Sequence, residues 1–186
     1  LLLGHRPVCS VEINKFCRRV LRVRQREGVL PWFPIWDDAR TFDGRPWRDV
    51  VELVCGGFPC QPYSTAGKGK GEGDKRNLWP DTLRIIREVA SPLVLLENVP
   101  GLLRFDYFGR ILGDLVETGY DIEWDIVSAA ELGGSHIRKR LWILAYDRNK
   151  IFTDPNSKRT LEYVGLGGVY VSTRGDREIV QEIRRQ

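Results

Sequence analysis

The chain has 186 residues, of which 42% are hydrophobic and 29% are charged, and its formal net charge is +4. These values indicate one soluble globular domain, and they exclude a membrane-spanning protein because no apolar run reaches the ~18 residues that a span needs. The N-terminal apolar stretch is too short for a signal peptide, so we expect a cytoplasmic protein. The mild positive charge is compatible with an anionic partner without identifying one.

The four cysteines and two histidines do not form a metal-binding pattern. No C-x-x-C occurs, and His5 and His136 lie far apart in the sequence. We therefore expect no metal site, and we expect the thiols to stay reduced.

Short apolar runs alternate with segments of helical periodicity along the first 147 residues. The patterns predict strands at 8–13, 50–57, 92–98, 122–129 and 140–147, and helices at 14–27, 78–90 and 109–120. Asn14 is a candidate N-cap for the first helix. Strands that alternate with helices favour an α/β fold with a mostly parallel sheet and helices on both faces. Beyond Asp147 the pattern weakens, and only one strand and a short C-terminal helix are indicated.

Three chemically notable residues lie at the ends of predicted strands: Glu12, Cys60 and Glu97. The carboxyl ends of parallel strands meet at one edge of a sheet, which is where ligands bind. We therefore expect these side chains to converge, and this placement is the first functional signal in the sequence.

Cys60 lies between Pro59 and Gln61-Pro62, so proline rings restrict the backbone on both sides of it. A catalytic nucleophile and a structural thiol are about equally supported by these neighbours. The stretch at 67–77 is rich in Gly and Lys but lacks the Walker phosphate-loop pattern. It suits either a loop that closes over a polyanion or an ordinary surface loop.

The charged residues near strand ends each allow two interpretations. Glu97 ends an apolar strand, where a carboxylate is costly unless it is paired or used, so a functional role is favoured over a surface acid or helix cap. Glu12 is either an acceptor for ribose hydroxyls or an ordinary strand-end acid. Arg138 and Arg140 alternate ahead of a strand, and they either hold a carboxylate or phosphate or form a solvated basic edge.

Taken together, these residues resemble the DNA cytosine-5 methyltransferase family. Residues 57–62 (GFPCQP) resemble its Pro-Cys-Gln motif, 97–99 (ENV) its Glu-Asn-Val motif, and 136–140 (HIRKR) its Gln-x-Arg-x-Arg motif. His136 stands where the family has Gln. Residues 10–17 (SVEINKFC) and 35–42 (IWDDARTF) resemble its cofactor-binding segments, and the match covers roughly residues 8–147.

The resemblance implies a Rossmann-like, S-adenosylmethionine-dependent methyltransferase fold. It implies that the Cys60 thiolate adds to carbon 6 of cytosine, so that carbon 5 can accept the methyl group of S-adenosylmethionine. Glu97 would hydrogen-bond the base, while Arg138 and Arg140 would position the base and the reactive loop. The cofactor-binding residues that the resemblance implies are Glu12, Ile13, Asp38, Ala39 and Pro59.

The implied partner is double-stranded DNA, from which the target cytosine must be flipped out. We expect a restriction–modification system with a cognate endonuclease as the context, and a monomer that binds neither metal nor membrane. Two alternatives stay open. An RNA (tRNA) cytosine-5 methyltransferase would transfer methyl groups to tRNA, and an inactive fragment would bind nucleic acid in a salt-dependent way without binding the cofactor.

The sequence departs from the family at both ends. It has no match to the N-terminal Gly-rich cofactor loop, and it is too short for a full target-recognition part. We therefore expect residues 1–147 to form a catalytic domain truncated at its N-terminus, and residues 148–186 to be the start or remnant of the target-recognition region. In the family the missing first strand lies between the strand ending at Glu12 and the strand before Cys60, so a gap in the sheet is predicted there.

Overall fold

The computed structural model describes residues 5–59, 77–147 and 149–150. Cys60, most of the Gly- and Lys-rich stretch that follows it, and the strand and helix predicted near the C-terminus all lie outside the described residues. Within the described residues, strands and helices alternate along the chain, and the predicted α/β fold is confirmed.

Every strand and helix predicted between residues 8 and 147 is present, although several are shorter at their ends. The strands are β1 Ser10–Val11, β2 Ile35–Trp36, β3 Leu53–Gly56, β4 Leu93–Asn98, β5 Asp121–Ser128 and β6 Lys139–Tyr146. The helices are α1 Lys15–Arg26, α2 Trp79–Val89 and α3 Asp106–Glu117, with short 3-10 turns between elements. The sequence does not predict β2, because a two-residue strand carries no periodicity.

Two helix starts follow from local chemistry. The Asn14 side chain accepts hydrogen bonds from Phe16 N at 2.9 Å and Cys17 N at 3.4 Å, which confirms it as the N-cap of α1. Helix α3 begins at Asp106, earlier than predicted, and places that carboxylate in its first turn. A negative charge is favourable there because the N-terminal end of a helix carries partial positive charge.

The described strands form two sheets. Strands β1 and β2 pair in parallel, and the second sheet has the order β3-β4-β6-β5. Strand β3 is parallel to β4, whereas β6 is antiparallel to both β4 and β5. Strands β3, β4 and β5 therefore run in one direction and end at one edge. Strand β1 does not pair with β3 in the described part of the chain.

The core lies on one face of the larger sheet. Along β4 burial alternates, with Val94, Leu96 and Asn98 buried and the intervening residues partly exposed. Helices α2 and α3 cover the buried face with Ile86, Leu83, Ile111 and Leu115. Each fully buried Leu or Ile contributes about 1.5–3 kcal/mol of apolar transfer free energy, so this layer holds the sheet edge in place.

Among the described residues, the helices are all too short or too polar to cross a membrane.

Candidate functional site

An ion pair joins Glu97 to Arg140 at the carboxyl edge of the sheet. Glu97 lies opposite Trp142 in the antiparallel register of β4 and β6, so Arg140 is its diagonal neighbour on the same face. Arg140 Nε lies 2.6 Å from Glu97 Oε1. The two side chains are 24% and 35% exposed, so the pair is partly shielded yet reachable from solvent. The structure thus brings together two of the predicted site residues.

The exit of β3 passes close to the same carboxylate. A Cβ placed on Gly57 would lie 3.4 Å from Glu97 Oε2, whereas the ion pair with Arg140 is made through Oε1. Glu97 Oε2 accepts no hydrogen bond from the described residues. Gly57 is followed by Phe58 and Pro59, and Pro59 is the last described residue before Cys60. The chain that leads to the predicted nucleophile therefore leaves the sheet beside a carboxylate oxygen that has no hydrogen-bond donor in the part of the chain that the structure describes.

Two further contacts hold the chain ahead of Cys60. The Asn98 side chain, which is only 3% exposed, donates from Nδ2 to the carbonyl oxygen of Phe58 at 3.1 Å. The Phe58 ring packs against the ring of Trp79, with centroids 5.2 Å apart. Trp79 in turn donates from Nε1 to Asp114 Oδ2 at 2.7 Å. Phe58 and Asn98 lie within the motifs at 57–62 and 97–99, but the sequence does not predict the contacts that they make.

The second predicted arginine does not join the ion pair. Arg138 precedes β6 and is exposed, and among the described residues its side chain has no hydrogen-bond or salt-bridge partner. Its main-chain carbonyl accepts a hydrogen bond from Ala129 N at 3.2 Å. His136 is also exposed. The connection between β5 and β6 therefore presents an exposed positive charge at Arg138, two residues before Arg140.

Glu12 and Ile13 directly follow β1. Glu12 Oε1 accepts a hydrogen bond from Asn14 N at 2.7 Å, and Arg18 donates to the carbonyl oxygens of both Glu12 and Ile13 at 2.8 Å. Ile13 is 57% exposed. Glu12 is held through Oε1, and its Oε2 accepts no hydrogen bond from the described residues. Together with the exposed side chain of Ile13, this carboxylate suits a ligand that has hydroxyl groups and an apolar ring.

Asp38 and Ala39 follow β2, which is the parallel partner of β1. Asp38 accepts a hydrogen bond from Arg40 N at 3.0 Å, and the Ala39 carbonyl accepts one from Arg84 of α2 at 2.6 Å. Residues Val11 and Trp36 are register partners, so the segments carrying Glu12 and Asp38 leave adjacent strands in the same direction. Carboxylates in this arrangement could accept hydrogen bonds from the ribose hydroxyls and the amine of an adenosine group.

A metal is not indicated by the described residues, where no group of three or more His, Cys, Asp or Glu side chains could hold one.

Comparisons with known proteins show which family the chain is similar to. The family model described as C-5 cytosine-specific DNA methylase matches residues 3–174. Among curated proteins, the Type II methyltransferase M.NgoMIV of Neisseria gonorrhoeae is 33% identical over 163 residues, covering 84% of this chain and 51% of that protein. The Type II methyltransferase M.SsoII of Shigella sonnei is 37% identical over 169 residues, covering 85% of this chain and 42% of that protein. The chain thus spans about half the length of these relatives, or less.

Solved structures are similar in fold. A crystal structure of a DNMT2 mutant of Spodoptera frugiperda has a TM-score of 0.62 at 20% identity, covering 84% of this chain and 46% of that chain. A putative DNA modification methyltransferase from an E. coli prophage has a TM-score of 0.63 at 21% identity, covering 81% of this chain and 44% of that one. At these identities the similarity shows a shared methyltransferase fold.

Proposed function

Because the chain belongs to the C-5 cytosine-specific DNA methylase family, we propose that it transfers a methyl group to carbon 5 of cytosine in DNA. The observation that carries the proposal is the Glu97–Arg140 ion pair, which lies beside the β3 exit that leads to Pro59 and Cys60. That arrangement supplies a hydrogen-bonding carboxylate beside the chain that leads to the candidate nucleophile, and chemistry at a cytosine ring needs both groups.

The proposed reaction begins with Cys60. Its thiolate forms a bond to carbon 6 of the cytosine, and the electrons of the 5,6 double bond make carbon 5 nucleophilic. S-adenosylmethionine would supply the methyl group to carbon 5, with its bond between sulfur and the methyl carbon breaking, and would leave as S-adenosylhomocysteine. A base then removes the proton from carbon 5, the double bond forms again, and the bond between sulfur and carbon 6 breaks. The Cys60 thiolate is therefore regenerated at the end of the reaction.

Glu97 and the arginines have distinct proposed roles. Glu97 accepts a hydrogen bond from the exocyclic amine of cytosine through Oε2, since Oε1 contacts Arg140, and it donates one to ring nitrogen 3 in its protonated form. Arg140 holds that carboxylate in one orientation. Arg138 contacts DNA phosphate or positions the reactive loop, because its guanidinium is exposed beside the site.

The cofactor site in this proposal is built from the ends of β1 and β2. Glu12 and Ile13 hold the ribose and adenine, Asp38 and Ala39 lie on the adenine side, and Pro59 borders the methyl donor. The hydrogen bonds that fix Glu12 and Asp38 support the proposal, because both carboxylates are held in one orientation before a ligand binds.

The remaining expectations belong to the whole protein. We propose that residues 1–147 carry catalysis and that residues 148–186 contribute to target recognition. The proposed substrate is double-stranded DNA, from which the target cytosine is flipped out of the base stack. The proposed enzyme is a monomer that acts in the cytoplasm. The Type II methyltransferase relatives support a restriction–modification context with a cognate endonuclease.

Covalent trapping tests this function. The chain is mixed with S-adenosylmethionine and duplex DNA synthesised with 5-fluorodeoxycytidine throughout, so that every sequence context is present. Fluorine at carbon 5 cannot leave as a proton would, so an adduct persists on a denaturing gel. We expect a shifted band that is lost in Cys60→Ala. A band with tRNA containing 5-fluorocytidine, and none with DNA, would favour the RNA alternative.

A further inference from the structure

We propose that Asn98 is a positioning residue that sets where the chain carrying Cys60 lies relative to Glu97. The inference rests on the proposed function and deepens it. Asn98 is the last residue of β4 and is 3% exposed. It directly follows Glu97 but lies on the opposite face of the strand, among the buried core residues, because side chains alternate along a strand. One strand end thus serves two purposes, with the carboxylate facing the site and the amide facing the core.

The hydrogen bonds of Asn98 fix the orientation of its amide. The side-chain oxygen Oδ1 accepts a hydrogen bond from Val99 N at 2.9 Å. An N–H group can only be matched by the amide oxygen, so the NH₂ group must face the other partner. That partner is the Phe58 carbonyl oxygen, 3.1 Å from Nδ2. Both ends of the amide are therefore assigned by chemistry.

The contact with Phe58 lies just beyond the point where the pairing of β3 with β4 ends. The parallel register of β3 and β4 ends at the pair Gly56 and Leu96. Beyond that pair, the β3–β4 ladder provides no main-chain hydrogen bonds to the segment at 57–59. The Asn98 amide extends the connection between the two strands as far as Phe58, which lies two positions before Cys60. Without it, the Phe58 peptide group would lose its hydrogen-bonded link to β4.

Burying an apolar side chain in this part of the core would cost less free energy than burying an amide. Asn98 continues the buried row of Val94 and Leu96, and an amide in such a place is costly unless both of its polar ends are bonded. The bond to Phe58 gives a reason for the amide. The Phe58 ring is held separately, by its packing against Trp79. Losing the amide should therefore release the Phe58 carbonyl while the ring stays in place.

The test compares Asn98→Leu with Ser91→Ala. Leu has the same branching as Asn and a larger volume, so it keeps the core filled, but it cannot donate to Phe58. Ser91 is a matched control because it is 1% exposed and bonds to Leu93 O at 2.9 Å, at the other end of the same strand. The measurements are thermal unfolding, DNA affinity, and the single-turnover rate of adduct formation at saturating 5-fluorocytosine DNA.

We expect Asn98→Leu to slow adduct formation by about 10- to 100-fold, because small displacements of a reacting group have effects of this size. DNA affinity should be unchanged, and Ser91→Ala should form the adduct at the wild-type rate. The proposal is overturned if Asn98→Leu reacts as fast as wild type, or if Ser91→Ala slows the reaction equally. Wild type forming no adduct at all would instead count against the proposed function.

Asn98→Asp is the second variant, for use where Asn98→Leu does not fold. It retains the oxygen that accepts from Val99 N but replaces the NH₂ group that donates to Phe58. Alkylation of Cys60 by iodoacetamide in the free protein adds a readout that is independent of turnover. A changed alkylation rate with unchanged unfolding temperature supports a positioning role, whereas equal rates in wild type and Asn98→Asp contradict it.

Discussion

Arg140 Nε lies 2.6 Å from Glu97 Oε1, and the register of β4 and β6 places the two side chains on the same face of the sheet. The pair is partly exposed, so it contributes at most about 1 kcal/mol to the free energy of unfolding. The main effect of the ion pair is therefore to orient the Glu97 carboxylate. The guanidinium holds one carboxylate oxygen and leaves the other, beside Gly57, to face a ligand.

Replacing Arg140 with Lys tests that geometric role. Lysine keeps the positive charge, but its single ammonium group does not reproduce the planar guanidinium that donates through Nε. We expect the rate of adduct formation to fall by about 10²-fold, while the unfolding temperature changes little. The measurement is single-turnover trapping at saturating DNA, beside a thermal melt. An unchanged rate would show that charge alone is sufficient at this position.

Arg138→Gln should give a different result, because Arg138 is exposed and has no side-chain partner among the described residues. We expect weaker binding to DNA of any sequence, with the slope of log K against log salt concentration reduced by about one. Adduct formation at saturating DNA should be close to the wild-type rate. Fluorescence anisotropy over a salt series measures the slope. A rate loss at saturation, with no change in slope, would instead place Arg138 at the base.

Gly57→Ala tests the space beside Glu97. The added methyl group would lie 3.4 Å from Glu97 Oε2, which is an ordinary van der Waals contact, so the fold should persist. The methyl group would nevertheless occupy space beside the oxygen proposed to bind the base. We expect kcat/KM to fall by about 10-fold or more, measured with tritiated methyl donor and genomic DNA.

Gly113→Ala is the control for that substitution. Gly113 lies within α3, and a Cβ there would meet nothing within 4 Å. Alanine is favoured over glycine in a helix interior, so we expect a gain of roughly 0.5–1 kcal/mol in the free energy of unfolding and an unchanged kcat/KM. Equal activity losses in both variants would show that neither loss reports on the space at Glu97.

The sequence predicts much of the fold because the long elements carry clear periodicity. Helix α2 shows Leu83, Ile86 and Val89 on one buried face, and β4 is a continuous apolar run. The short strands are different, since β2 forms only by pairing with β1 and has no pattern of its own.

The candidate site is predicted in part. Glu97 and Arg140 could be found from strand ends and period two, but their contact depends on the register of β6 against β4. The bond between Asn98 and Phe58 could not be found, because it joins residues far apart in sequence. Tertiary contacts of this kind leave no local signal beyond a polar residue in an apolar run.

Tyr120 makes the stability of the fold sensitive to alkaline pH. Its hydroxyl donates to the carbonyl oxygen of Ser91 at 2.6 Å and is buried. Burial raises the pKa of Tyr120 to about 12, with Asp147 acting in the same direction and Arg48 opposing it. An unfolded tyrosine has a pKa near 10, so the folded state favours the neutral phenol. This stabilisation is fully present below about pH 10 and is lost as the pH rises through about 12.

Tyr120→Phe removes this titration while keeping the ring. At neutral pH we expect a loss of about 1 kcal/mol, because the Ser91 carbonyl loses its buried donor. Above about pH 10 the wild-type free energy of unfolding should fall more steeply than that of the variant, so the two curves converge. Urea unfolding at about pH 8 measures the loss caused by the substitution, and urea unfolding at about pH 11 measures how far the two free energies of unfolding have converged. The other tyrosines contribute equally to each protein. Parallel curves across this range would mean that Tyr120 ionises as easily in the folded chain as in the unfolded one.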